Sequence, residues 1–181
     1  MCYLVTALSL RFAWIPKPIS PSLLKVGTQA PRFTLRTREG GEFALSEALS
    51  KHKAVLVYFF YGGYKGLEWE FKRLQELQKT LKGLLVVGLE KSGERLPFNS
   101  SFNAPSFPIL LNGKGESDMV KKYGLRGSPA AYLLDSKGKV VGRWISASYG
   151  TDGFYEDIFG KDCLPSTLKK MGFHGSWESN E

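Results

Sequence analysis

Ala54-Val55-Leu56-Val57-Tyr58-Phe59-Phe60, with Gly62, Gly63 and Gly66 close behind it, decides how this chain folds. Seven consecutive apolar, β-branched or aromatic residues make a strand buried on both faces. The glycines predict a flexible loop. Beyond it, Leu67, Phe71, Leu74, Leu77 and Leu81 recur at spacings of three and four, the signature of an amphipathic helix. Leu84 to Leu89 is a second buried strand. Strand, helix and strand at this length form a βαβ crossover, so the two strands are expected to be parallel neighbours.

Upstream, Phe33, Leu35 and Phe43, Leu45 alternate with polar residues around Glu39-Gly40-Gly41, which predicts a hairpin. Ser46 is the expected N-cap of a short helix through Leu49. Downstream, Lys91 to Pro105 is irregular, Phe107 to Leu111 a short strand and Glu116 to Tyr123 a short helix. Ala130–Leu134 and Val140–Trp144 flank Asp135-Ser-Lys-Gly138 and should pair antiparallel. Phe154 to Phe159 is expected to be helical, with one further helical turn after Pro165. The domain limits read as an irregular, proline-punctuated extension over 1–25, one α/β domain over 26–146, and a C-terminal helical extension and tail over 147–181.

Composition narrows the function. Of the residues, 43% are hydrophobic and 23% charged, as in a soluble globular domain. No apolar run reaches the roughly 20 residues of a membrane-spanning helix. Met1 to Leu10 is apolar but lacks a basic n-region and a clean cleavage site, so the cytoplasm is favoured over export. The net charge of +8 favours attraction to anionic surfaces. The Lys and Arg residues are scattered through the chain rather than clustered on one element, so no specific nucleic-acid partner is expected. Two cysteines, Cys2 and Cys163, and two histidines, His52 and His174, offer no metal-ligand spacing. No metal and no cofactor is expected.

Several stretches resemble one known family. Val26-Gly-Thr-Gln-Ala-Pro-Arg-Phe-Thr-Leu35 is similar to the opening strand of peroxiredoxins and of TlpA-like thiol oxidoreductases. Phe107-Pro-Ile-Leu-Leu111 and Tyr123-Gly-Leu-Arg-Gly-Ser-Pro129 resemble the approach to that family's cis-proline, and Asp135-Ser-Lys-Gly-Lys-Val140 its final hairpin turn. The likeness runs from Val26 to about Ser146. It implies a thioredoxin fold: a single domain with a mixed central sheet flanked by helices and a site at the start of the first long helix. It also implies that the two CxxC cysteine positions fall on Tyr64 and Leu67. No cysteine lies between Tyr61 and Phe71. Thiol–disulfide exchange needs a thiolate at that helix start, so the resemblance implies a redoxin without its redox pair.

The candidate site residues follow. The resemblance implies a cis peptide bond between Ser128 and Pro129, and an edge there that pairs with an extended peptide. Gly62, Gly63, Tyr64, Lys65 and Gly66 place free amides and one cation at a helix start, a possible binding loop. They suit still better a plain glycine turn in place of the lost active-site one. Glu70 falls inside the apolar stripe, three residues after the second lost cysteine position, where TlpA-like proteins carry a glutamate. A buried carboxylate there should have a raised pKa and accept a hydrogen bond. Tyr58, Phe59, Phe60, Tyr61, Tyr64 and Trp69 surround this position, with core packing expected for Phe59 and Trp69. His52 and His174 are expected in solvated loops.

Three functions from different classes fit. One is a redox-inactive adaptor that binds a protein or peptide. Another is a divergent thiol oxidoreductase or peroxidase that uses Cys163 as its nucleophile, though the neighbouring Asp162 disfavours a thiolate there. A structural subunit of a larger assembly is the third.

Overall fold

In the computed structural model the stretch 54–60 is the middle strand of a five-stranded sheet. The structure describes residues 23–62, 66–91, 104–112, 119–125, 129–145 and 164–174. In chain order the elements are β1 (Thr34–Arg36), β2 (Glu42–Ala44), α1 (Leu45–Lys51), β3 (Ala54–Phe60), α2 (Leu67–Thr80) and β4 (Leu84–Glu90). Then follow β5 (Ile109–Leu111), α3 (Met119–Lys122), β6 (Ala130–Asp135), β7 (Val140–Ile145) and α4 (Leu164–Lys170). The sheet order is β5-β4-β3-β6-β7, and β1-β2 form a separate ribbon.

All seven residues of β3 are buried because both faces of the sheet are covered. Alternate residues therefore serve two cores. Ala54, Leu56, Tyr58 and Phe60 face α2 through Leu67, Phe71, Leu74 and Leu77, with Leu164 and Leu168 of α4 joining the same layer. Val55, Val57 and Phe59 face α1 through Leu45 and Leu49, together with Tyr123 and Tyr132. The expected βαβ unit is present: β3 and β4 are parallel, in register from Ala54 with Leu84 to Phe60 with Glu90. β6 runs antiparallel to β3 and β7 antiparallel to β6, so the sheet is mixed.

Two glycines are required by geometry. Gly138 has φ of 80° in the β6–β7 turn, where the Asp135 carboxylate accepts hydrogen bonds from the amides of Lys137 at 3.0 Å and Lys139 at 2.8 Å. Gly88 of β4 lies where a β-carbon would come 2.7 Å from Ile109, 3.1 Å from Phe60 and 3.2 Å from Phe107. Its missing side chain is what lets those three close over the strand.

The boundaries correct several expectations. The N-cap of α1 is Ala44 and not Ser46, which lies inside the helix. The Leu45 amide, one of the orphan donors of the first turn, is satisfied by the Phe33 carbonyl at 3.0 Å, so no side-chain cap is needed. The helix also continues to Lys51. β4 runs one residue past Leu89 to Glu90, and β5 begins at Ile109 rather than Phe107. The turn expected after Pro165 is a seven-residue helix that starts at Leu164, because Leu164 and Leu168 both reach the core. The helix expected over 154–159 lies outside the described residues, as does most of the irregular 91–105 segment.

Candidate functional site

The site is built at the end of the sheet where β3 delivers the chain to α2. Tyr61 and Gly62 leave the strand, and α2 starts at Leu67 with Gly66 at its N-cap and no side-chain cap. Glu68 and Glu70 occupy the first turn, where carboxylates complement the helix dipole. Glu68 points to water. Glu70 points in.

Glu70 is only 2% exposed. The 67, 70, 74, 77 stripe turns it toward β3, and the Tyr58 hydroxyl donates a hydrogen bond to its Oε2. Aromatic rings close this end of the core: Phe71 meets Phe60 edge-on at 5.0 Å and Phe107 at 5.2 Å, and Tyr58 stacks on Phe60 at 5.8 Å. Burial raises the Glu70 carboxyl from its ordinary range to about 7, against the opposing pull of the Tyr58 hydrogen bond. Burial first, and the carboxylate beside it second, push the Tyr58 phenol well above its ordinary value. While the Glu70 carboxyl is ionised, tyrosine is therefore the donor in the hydrogen bond that the pair shares.

A second charged pair was missed by sequence reasoning. Glu90 is fully buried at the end of β4, in register with Phe60, and its Oε1 lies 3.4 Å from the Gly62 amide. Lys91 follows at 8% exposure, its amide bonded to the Phe60 carbonyl at 2.9 Å and its ammonium 4.7 Å from the Tyr61 ring centroid. Burial lowers the Lys91 pKa. The signal was the 30-residue offset of the two strands, which sets residue 90 against residue 60 beside the glycine loop.

The structure brings some expected site residues together. Gly62 and Gly66 are half-buried, and Leu67 is a buried core residue. Ala130 pairs with Phe59, so Pro129, half-buried one residue earlier, stands at the same end of the sheet as Gly62. Gly63, Tyr64, Lys65, Ser128, Cys2 and Cys163 lie outside the described residues, and with Ser128 goes the expected cis bond. Trp69 corrects its expectation: it is 44% exposed, because two residues from Leu67 it faces away from the stripe. Tyr61 is 46% exposed. His52 is half-buried rather than in a solvated loop, at the C-cap of α1 with Nδ1 2.9 Å from the Ala48 carbonyl oxygen. His174 is exposed. Among the described residues no three His, Cys, Asp or Glu side chains converge as metal ligands, and no helix is long and apolar enough to cross a membrane.

A mixed five-stranded sheet with helices on both faces, and a site between β3 and the first long helix, defines a thioredoxin-like redoxin domain. Residues 26–143 match the AhpC/TSA family, and the chain belongs to it. It is 31% identical over 123 residues to the thioredoxin-like protein YneN of Bacillus subtilis (strain 168), covering 65% of this chain and 69% of YneN. To the thiol-disulfide oxidoreductase ResA of Bacillus anthracis it is 27% identical over 122 residues, covering 65% and 68%. Among solved structures, peroxidoxin BcpB from Mycobacterium tuberculosis superposes with a TM-score of 0.60 at 20% identity, covering 82% of this chain and 97% of that one. A thiol-disulfide oxidoreductase from Bacteroides fragilis superposes at 0.56 and 21% identity, covering 80% and 99%. At these identities the superpositions speak to the fold alone.

Proposed function

We propose that this protein is a redox-inactive redoxin that binds an extended protein segment at the end of the sheet where Gly62 and Pro129 stand. The observation that carries this reading is a pair of exposed aromatic side chains, Tyr61 and Trp69, bracketing a loop that has no cysteine. The family resemblance sets the cysteine positions on Tyr64 and Leu67. Leu67, buried at 5% exposure, is suited to packing and inert to sulfur. Exposed Tyr and Trp offer large, rigid contact area at low entropic cost, and such residues commonly dominate binding energy. The family's peptide edge at Ser128 and Pro129 then supplies backbone pairing, and the aromatics supply the anchors. Glu70 acts as a positioning residue, tying the first turn of α2 to β3 through Tyr58.

Selection of displayed random peptides on the pure protein, followed by anisotropy titrations of the selected peptides, tests this. Tyr61→Ala and Trp69→Ala are each expected to weaken binding by about tenfold or more, the scale of one lost aromatic anchor. The Cys2→Ser/Cys163→Ser double variant is expected to bind as wild type does. Selected peptides whose affinity depends on Cys163 and ignores both aromatics would favour the thiol-based alternative.

A further inference from the structure

The opposite end of the sheet carries a different surface. β3 starts at Ala54, which pairs with Leu84 of β4 and Asp135 of β6, so Lys53, Lys82 and the β6–β7 turn all reach one pole. The last turn of α2 brings Lys79, and the last turn of α4 brings Lys169 and Lys170. The end of α4 is tied there by Lys53, whose ammonium donates to the Gly172 carbonyl at 2.8 Å and lies 4.7 Å from the Phe173 ring centroid. Glu47 pairs with Lys51, Glu76 with Arg73, and Asp135 with the amides of its own turn.

Between the start of β3 and the ends of α2 and α4 lies a cleft of about 370 Å³. Among the described residues Lys53, Thr80, Lys82, Gly172, Phe173 and His174 line it, with no carboxylate. Lysines near helix C-termini ordinarily answer the negative end of the dipole. Two helix ends supply together only about one negative charge. Lys53, Lys79, Lys82 and Lys170 stand around them, more positive charge than the two helix ends balance. Lys53 commits one of its three donors to Gly172 and keeps two. The cations here are lysines, and lysine serves as a compact point charge toward phosphate rather than a planar fork.

We propose that this cleft is a binding site for a phosphate group carrying two or more negative charges. It lies at the other end of the sheet from Gly62, so both ends can be occupied at once. The site stands independently of the peptide-binding reading.

Calorimetric titration of the full chain with sodium pyrophosphate, at an ionic strength held near about 0.15 M with chloride, tests the site. Saturable one-to-one binding with a Kd tighter than about 1 mM is expected. Lys82→Ala, in an exposed turn and outside the core, should weaken it by about fivefold or more. Lys72→Ala, exposed two turns back along α2, should change it less than about twofold. A parallel arm uses vesicles of phosphatidylcholine containing phosphatidic acid, a lipid phosphomonoester. Vesicle binding that Lys82→Ala abolishes and pyrophosphate displaces assigns the phosphate to a lipid headgroup. Pyrophosphate binding without vesicle binding assigns it to a soluble compound. Binding to neither overturns the proposal, and equal losses from Lys72→Ala and Lys82→Ala overturn it too, since they would mean diffuse attraction to a basic protein.

Discussion

Between pH 5 and pH 8 the folded protein is expected to lose about 2.5 kcal/mol of stability, and Glu70→Gln to remove most of that loss. Glu70 is held under the first turn of α2 with its pKa raised by burial to about 7. A carboxyl raised in the folded state binds its proton more tightly there than in the unfolded chain. Below the ordinary carboxylate pKa both states are protonated and no penalty exists. As pH climbs toward 7 the unfolded chain ionises first, and stability falls until the folded carboxyl ionises too. Above that the penalty is complete and constant. Urea unfolding of wild type and Glu70→Gln at pH 5 and pH 8 measures it, and the difference between the two proteins isolates Glu70 from other titrating groups. For a chain of this size the wild-type loss corresponds to a fall in Tm of roughly 5–10 °C. Parallel pH profiles in both proteins would show that Glu70 is not held in this way.

Phe71→Ala is expected to cost about 3–5 kcal/mol, a large share of the roughly 5–15 kcal/mol that holds a typical domain together. Phe71 is 2% exposed and its ring meets those of Phe60, Phe107 and Tyr58. Truncation opens a cavity at the end of the core where Glu70 is buried, and water that enters it hydrates the carboxyl. The change should therefore also shrink the pH dependence described for Glu70, because a better-hydrated carboxylate has a lower pKa. Phe71→Leu, which keeps most of the volume, should cost far less and preserve the pH profile. Equal stability loss in the two variants would mean that the aromatic cluster does not seal this end of the core.

How far the fold could be read depended on whether burial was local or assembled. β3, α2 and β4 were legible because a strand covered on both faces has no polar alternation, and because α2 must carry one apolar stripe. Glu70 was legible for the same reason, as the one charge on that stripe. Ser46 misled because a tertiary contact, Leu45 to Phe33, did the work of a cap. Glu90 and Lys91 were hidden because a charged pair after an apolar run looks like a strand end meeting solvent. Only the register of β4 against β3 brings them beside Gly62. The basic pole was hidden more thoroughly. Lys53, Lys82 and Lys170 are scattered in sequence, and only the parallel strands and the return of α4 gather them.

The proposed adaptor role has a redoxin fold working without redox chemistry. Its most direct test is the rate at which the pure wild-type protein catalyses insulin reduction by dithiothreitol. A thioredoxin-type site depends on a thiolate stabilised at a helix N-terminus, and the loop from Tyr61 to Phe71 contains no cysteine. The rate is therefore predicted to equal the uncatalysed background, in wild type and in Cys163→Ser alike. Catalysis well above background that Cys163→Ser abolishes would contradict the account and make Cys163 the nucleophile.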